Sequence, residues 1–176
     1  MSALLVCVLF RSHGRPTCLV DACVDYRKAQ SRLLTKWPSI PIEVAPIAAH
    51  VVVAALRDIG SNNPRVRNGL LAKSGPLKTD QDFFIVDAPF KTLVTASDVA
   101  AGEDVKGDGT DGVWQVEQLA ERIKAITGVL EVGIFCGMDG YEVRNTGGKK
   151  GGQKPVAVYF GMEDGSVKVR TKKGEF

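Results

Sequence analysis

The chain has 176 residues, 44% of them hydrophobic and 24% charged, with a formal net charge of +3. That length fits one domain or one and a half, with enough apolar material to bury a core. The basic residues are spread along the chain and only the tail KVRTKKGEF is locally basic, so no nucleic-acid partner is expected. Cys7, Cys18, Cys23 and Cys136 form no CxxC pair, and His13 and His50 do not flank them at zinc spacing. The expectation is buried thiols in a reducing compartment, with no metal. The N-terminal run MSALLVCVLF is about half the ~20 apolar residues a membrane span needs and lacks a basic lead. A cytoplasmic protein with no membrane partner is expected.

Taken in chain order, residues 1–17 give no clear element, since RSHGRPT breaks an apolar start. Cys18–Val24 is an apolar run broken only by Asp21, close to the pattern of a buried strand. It runs into Asp25, Arg27 and Lys28, a charged cluster just past a strand end. Open α/β sheets place ligand contacts at that position. PIEVAP is a short strand closed by prolines, and IAAHVVVAALRDIG a helix with Gly60 as its C-cap. RVRNGLL reads as a strand, KSGPLKTDQD as a loop and FFIVDAPF as a strong strand. Residues 95–112, rich in Gly and Asp, read as a flexible insertion. VWQVEQLAERIKAITG is an amphipathic helix ended by Gly128, and VLEVGIF a strand. Residues 41–135 therefore run β-α-β-β-α-β, the split-βαβ, ferredoxin-like order. After a second glycine-rich segment, KPVAVYFGMEDGSVKVRT is two strands joined by a tight turn at residues 163–165.

Few motifs carry chemistry. Counting DVKGDGTDG from Asp104 as a calcium loop puts Gln115 where a bidentate Glu is needed, so a solvated linker is expected. TGGKKGGQKP has Gln153 after its last glycine and a strand after it, so it is not a phosphate loop. Asp80 and Asp82 are a conceivable carboxylate pair, with turn and strand-end acids the preferred reading. His50, in an apolar helix, is expected to be a satisfied or interfacial histidine.

Five ordered stretches resemble the C-terminal half of the type A ribose-5-phosphate isomerase family. They are VDYRK, WPSIPIEVAPIAAHVVVAALRDIG, KTDQDFFIVDAPF, ITGVLEVGIF and PVAVYFGMEDGSVKV. The resemblance implies an α/β (α+β) fold in which a small ferredoxin-like domain is inserted into a Rossmann-like domain that carries the active site. On that basis residues 1–17 match nothing, 18–40 are a remnant of the Rossmann-like domain, and 41–137 are the small domain. Residues 138–152 are a glycine-rich insertion, and 153–176 are strands returning to the Rossmann-like domain. That remnant is expected to hold two or three strands.

The resemblance also implies a reaction. The family interconverts ribose 5-phosphate and ribulose 5-phosphate through an enediol, in the non-oxidative branch of the pentose phosphate pathway, without a cofactor. A carboxylate moves a proton between C1 and C2, and charged donors stabilise the enediolate oxygen. The family's phosphate loop, its D-G-A-D-E acids and its K-G-G-G segment with the base glutamate have no counterpart in this sequence. No catalytic residue is therefore identified, and Lys28 is the one substrate-binding residue that carries over. The expectation is an isomerase homologue, truncated and inactive alone, whose sugar-phosphate partner binds only where the site is completed. The alternative is a non-enzymatic ferredoxin-like module for interaction or homo-oligomerisation.

Overall fold

In a computed structural model the described residues are 7–11, 19–29, 34–35, 39–69, 75–101, 106–146, 153–171 and 174–175. They form a mixed α/β protein in two compact units, one of residues 31–134 and one of residues 1–30 with 135–176.

The 31–134 unit is built on a four-stranded sheet of order β4-β5-β3-β6. Its strands are β3 (Ser39–Val44), β4 (Arg65–Val66), β5 (Phe84–Pro89) and β6 (Val129–Val132), and every pairing is antiparallel. Alternation along β3 buries Ile40, Ile42 and Val44, the period of a strand with one face on a core. Helix α1 (Ala49–Asp58) follows a 3-10 turn at Pro46–Ala48 and buries Ala49, Val52 and Leu56, three residues on one helical stripe. Helix α3 (Val116–Lys124) buries Leu119, Ala120 and Ile123. Leu56, Leu119 and Ile123 are 0% exposed, and burial of each such side chain contributes about 1.5–3 kcal/mol.

A proline inside central strand β3 asks for an account, because it cannot donate to a ladder. Pro41 sits where the β6 ladder stops, its carbonyl accepting from Gly133 N at 2.8 Å. The missing N–H thus falls at the end of the neighbouring strand. A Cβ at Gly133 would meet the Pro41 ring, so the close approach needs glycine there.

Three expectations change. The strand read over RVRNGLL is only the two residues of β4, followed by an isolated bridge between Asn68 and Pro76; Leu70 and Leu71 lie outside the described residues. The segment read as a flexible insertion over 95–112 carries helix α2 (Ala96–Ala100) and a turn closed by an Asp108–Trp114 bridge. Trp114 holds that turn in place. Its indole Nε1 donates to the Ile59 carbonyl at 3.0 Å, and its ring lies where a Cβ on Gly109 would sit. For the same reason α3 starts at Val116 rather than 113, since Trp114 and Gln115 are taken up in bridges.

The second unit holds a five-stranded sheet of order β1-β2-β7-β8-β9, wider than the two or three strands expected. Its strands are β1 (Cys7–Arg11), β2 (Leu19–Asp25), β7 (Ala157–Gly161), β8 (Val167–Thr171) and β9 (Gly174–Glu175). The extra strands are β1, from the stretch that gave no clear element, and the short β9. Strands β2 and β7 are parallel; the other pairings are antiparallel.

The glycine-rich insertion read over 138–152 contains helix α4 (Gly140–Asn145), which packs on β2. A capping box starts it. Asp139 Oδ1 accepts from Tyr141 N at 2.8 Å and Glu142 N at 2.9 Å, while Glu142 Oε2 accepts from Asp139 N at 2.9 Å. Residues 147–152 lie outside the described residues.

Gly128 tests the packing of the 31–134 unit. Its φ is +96°, and a Cβ there would overlap the Ala48 methyl. Gly128→Ala should destabilise the unit by ~3 kcal/mol, from left-handed strain plus overpacking. Gly165→Ala, at φ +82° with nothing within 4 Å, should cost only about 1 kcal/mol. Urea denaturation of both variants measures the contrast, and equal losses would refute the packing argument.

Candidate functional site

The parallel pair β2–β7 defines one edge of its sheet. Its register sets Asp25 beside Gly161, the last residues of the two strands. Both strands therefore end at the same edge, where a 3-10 turn (Tyr26–Lys28) leaves β2 and the Met162–Ser166 turn leaves β7. The carboxyl edge of parallel strands is the ligand edge of open α/β sheets.

Local chemistry fixes both turns. Asp25 is the N-cap of the 3-10 turn: its Oδ1 accepts from Arg27 N at 2.9 Å. The same carboxylate receives the Arg27 guanidinium as a fork, Nε to Oδ1 and Nη2 to Oδ2, both at 2.7 Å. This hydrogen-bonded pairing raises the Arg27 pKa further above its already high value, so that cation is held against Asp25. Across the edge, Gly165 takes φ +82° and donates to the Met162 carbonyl at 3.1 Å. Asp164 Oδ1 accepts from Ser166 N at 2.9 Å and Ser166 Oγ at 2.6 Å, and the hydroxyl bond holds its carboxyl below the usual carboxylate range.

One side-chain bond joins the two turns. The Tyr26 hydroxyl donates to Glu163 Oε2 at 3.2 Å across 137 residues of sequence. That bond, followed by the Glu163 charge, raises the phenol above the ordinary 10.0. Tyr26 and Glu163 escaped sequence reasoning, because no local spacing links them. Lys28 closes the 3-10 turn, so its backbone stands at this edge; its side chain lies outside the described residues.

The other sequence candidates do not gather here. Asp82 is an exposed turn residue at φ 65° whose carboxylate meets Lys78 Nζ at 3.1 Å; Asp80 is exposed in the same turn. Asp87 is paired with Arg67 through two bonds of 2.8 and 2.5 Å. His50 is exposed on α1. Among the described residues no group of three or more His, Cys, Asp or Glu is placed to hold a metal ion, and no helix is long and apolar enough to cross a membrane.

Comparison with known proteins places this chain in a family. Residues 20–147 match the family described as ribose 5-phosphate isomerase A (phosphoriboisomerase A), and the chain belongs to that family. The ribose-5-phosphate isomerase of Mycosarcoma maydis is 37% identical over 152 residues, which is 86% of this chain and 41% of the relative. The solved ribose 5-phosphate isomerase A of Methanocaldococcus jannaschii is 28% identical with a TM-score of 0.54, covering 86% of this chain and 49% of that one. A D-ribose-5-phosphate isomerase solved in complex with phospho-erythronic acid is 26% identical with a TM-score of 0.55, at the same coverage of 86% and 49%. The chain thus spans about two-fifths of the length of the curated relatives it matches.

The Tyr26–Glu163 bond has a testable pH signature. Because the folded phenol has a raised pKa, its stabilising contribution is full below the unfolded tyrosine value and is lost as pH rises through the folded one. Tyrosinate absorbance of the wild type minus that of Tyr26→Phe should titrate above 10.0, and Glu163→Gln should move that component down. No movement in Glu163→Gln would show that the two turns are not joined by this bond.

Proposed function

We propose that this chain supplies one wall of a ribose 5-phosphate isomerase site, with Lys28 as its substrate-contacting residue. The observation that carries the reading is the parallel β2–β7 edge, whose 3-10 turn lies inside the segment matched to the isomerase family. We read residues 41–137 as the ferredoxin-like small domain, supported by the sheet order β4-β5-β3-β6 with helices α1 and α3 in the two crossovers. Of the segments read as Rossmann-like, 18–40 and 153–176, the parallel pairing of β2 with β7 supports the parts in the second unit, whereas Ser39 and Ile40 pair in β3 of the other sheet.

The related protein solved with phospho-erythronic acid holds a ligand with a carboxylate and a phosphate, two anions that call for cations. Of the two adjacent cations at this edge, Arg27 is committed to Asp25. We assign the ligand contact to Lys28, as the family resemblance implies. An ammonium there stabilises either the phosphate or the enediolate oxygen as ribose 5-phosphate becomes ribulose 5-phosphate. The base that moves the proton between C1 and C2 comes from outside these 176 residues, because no segment of the sequence resembles the family's base-glutamate segment. The chain then binds sugar phosphate weakly and does not turn it over by itself.

Isothermal titration with phospho-erythronic acid tests the lysine. Loss of one charge-assisted contact in Lys28→Ala should weaken binding about tenfold, equivalent to ~1.4 kcal/mol. Equal affinity in wild type and variant would remove Lys28 from the site.

A second reading rests on a different observation. Ile47 is 96% exposed and Val51 64%, one helical turn apart beside His50. Such a patch favours association with a second copy of the chain, as a non-enzymatic interaction module would require. Light scattering should then show a concentration-dependent dimer that Ile47→Lys abolishes; a monomer at every concentration would dismiss this reading.

A further inference from the structure

Strands β1 and β2 run antiparallel in a register that sets Cys7 opposite Cys23. Directly opposed residues of an antiparallel pair lie on the same sheet face. Their Cα atoms are about 4.5 or 5.5 Å apart, depending on whether the pair is hydrogen-bonded. Either spacing falls within the ~4.4–6.8 Å that a disulfide spans. Cys23 is half-buried and carries a free thiol. Among the described residues this is the one place where strand register opposes two cysteines. Cys136 lies outside the strands, and Cys18 lies outside the described residues.

We infer that Cys7 and Cys23 are a reversible thiol–disulfide pair that fastens β1 to β2. The oxidant is a low-molecular-weight disulfide such as oxidised glutathione. One protein thiolate attacks it, releasing one small thiol and leaving a mixed disulfide on the protein. The opposed thiolate then attacks that mixed disulfide, releasing the second small thiol and closing the Cys7–Cys23 bond. Two protein thiols lose two protons and two electrons, and the small disulfide gains them as two thiols.

The position gives the bond a consequence. Strand β2 pairs with β7 on one side and with β1 on the other, and β1 is an outermost strand of the sheet. It also lies outside the residues matched to the isomerase family. When the pair is reduced, five residues of backbone pairing hold β1 in place. When it is oxidised, β1 is fixed covalently, and the β2 edge is closed to any competing strand. The bond joins β2 two residues before Asp25, the cap of the candidate site turn. The inference stands on register alone and does not depend on the isomerase reading.

The test uses the full 176-residue chain equilibrated with oxidised and reduced glutathione, followed by alkylation of free thiols, proteolysis and mass spectrometry. The expected product is lighter by two hydrogen atoms, has lost two alkylatable thiols, and yields one cross-linked peptide pair through Cys7 and Cys23. Dithiothreitol should restore both thiols, and Cys23→Ser should give no cross-link. Three results would overturn the inference: glutathione adducts on Cys7 and Cys23 without a link, a link from either to Cys18 or Cys136, or no reaction of the pair at an oxidising ratio.

Discussion

Everything at the candidate site depends on the parallel pairing of β2 with β7. A parallel pair needs a long crossover, and here the crossover carries the whole 31–134 unit. The two strands register Asp25 against Gly161, and the next side-chain bond beyond them, Tyr26 to Glu163, spans 137 residues of sequence. The entropic cost of closing so long a loop grows only with the logarithm of its length. It falls further in practice, because the 31–134 unit has its own sheet and buried core and shortens the effective loop when folded. The 31–134 unit lies between the two turns in sequence and contributes no side chain to the Asp25–Arg27, Tyr26–Glu163 and Asp164–Ser166 bonds.

Charge at the edge is arranged with the same economy. Asp25 serves both as turn cap and as the partner of Arg27, so one carboxylate fixes the backbone and neutralises a cation. Glu163 and Asp164 each have a hydroxyl donor, from Tyr26 and Ser166. Those bonds fix the two turns but do not cancel charge: the Ser166 donors favour the Asp164 anion. A phosphate at an edge with carboxylates is repelled, and the like-charge cost rises as water is excluded, so an anionic ligand there needs a cation to offset it.

Strands were legible where the code is short-range. The runs that became β2, β3, β5 and β7 are apolar or alternating and bounded by turn residues, and the glycine of the β7–β8 turn announces its positive φ. Helix α4 was obscured by the glycines around it, although Asp139 and Glu142 stand at the spacing of a capping box. The turn around Gly109 looked like linker because its stability comes from one distant indole, Trp114, bonded to Ile59. Strand β1 could not be read because an unbroken apolar run has no period to distinguish strand from helix. Of the site, the strand-end position of Lys28 was visible in the sequence, but its weight came from the family resemblance. The Tyr26–Glu163 bond was invisible, since only the fold brings those residues together.

The central claim is that this chain provides the ligand edge of an isomerase site without its proton-transfer base. The most direct measurement is ribulose 5-phosphate formation from ribose 5-phosphate by the purified 176-residue chain, run beside Lys28→Ala. The account predicts no turnover above background in either protein. Turnover by the wild type that disappears in Lys28→Ala would contradict it, and would show that these residues hold a complete acid/base site.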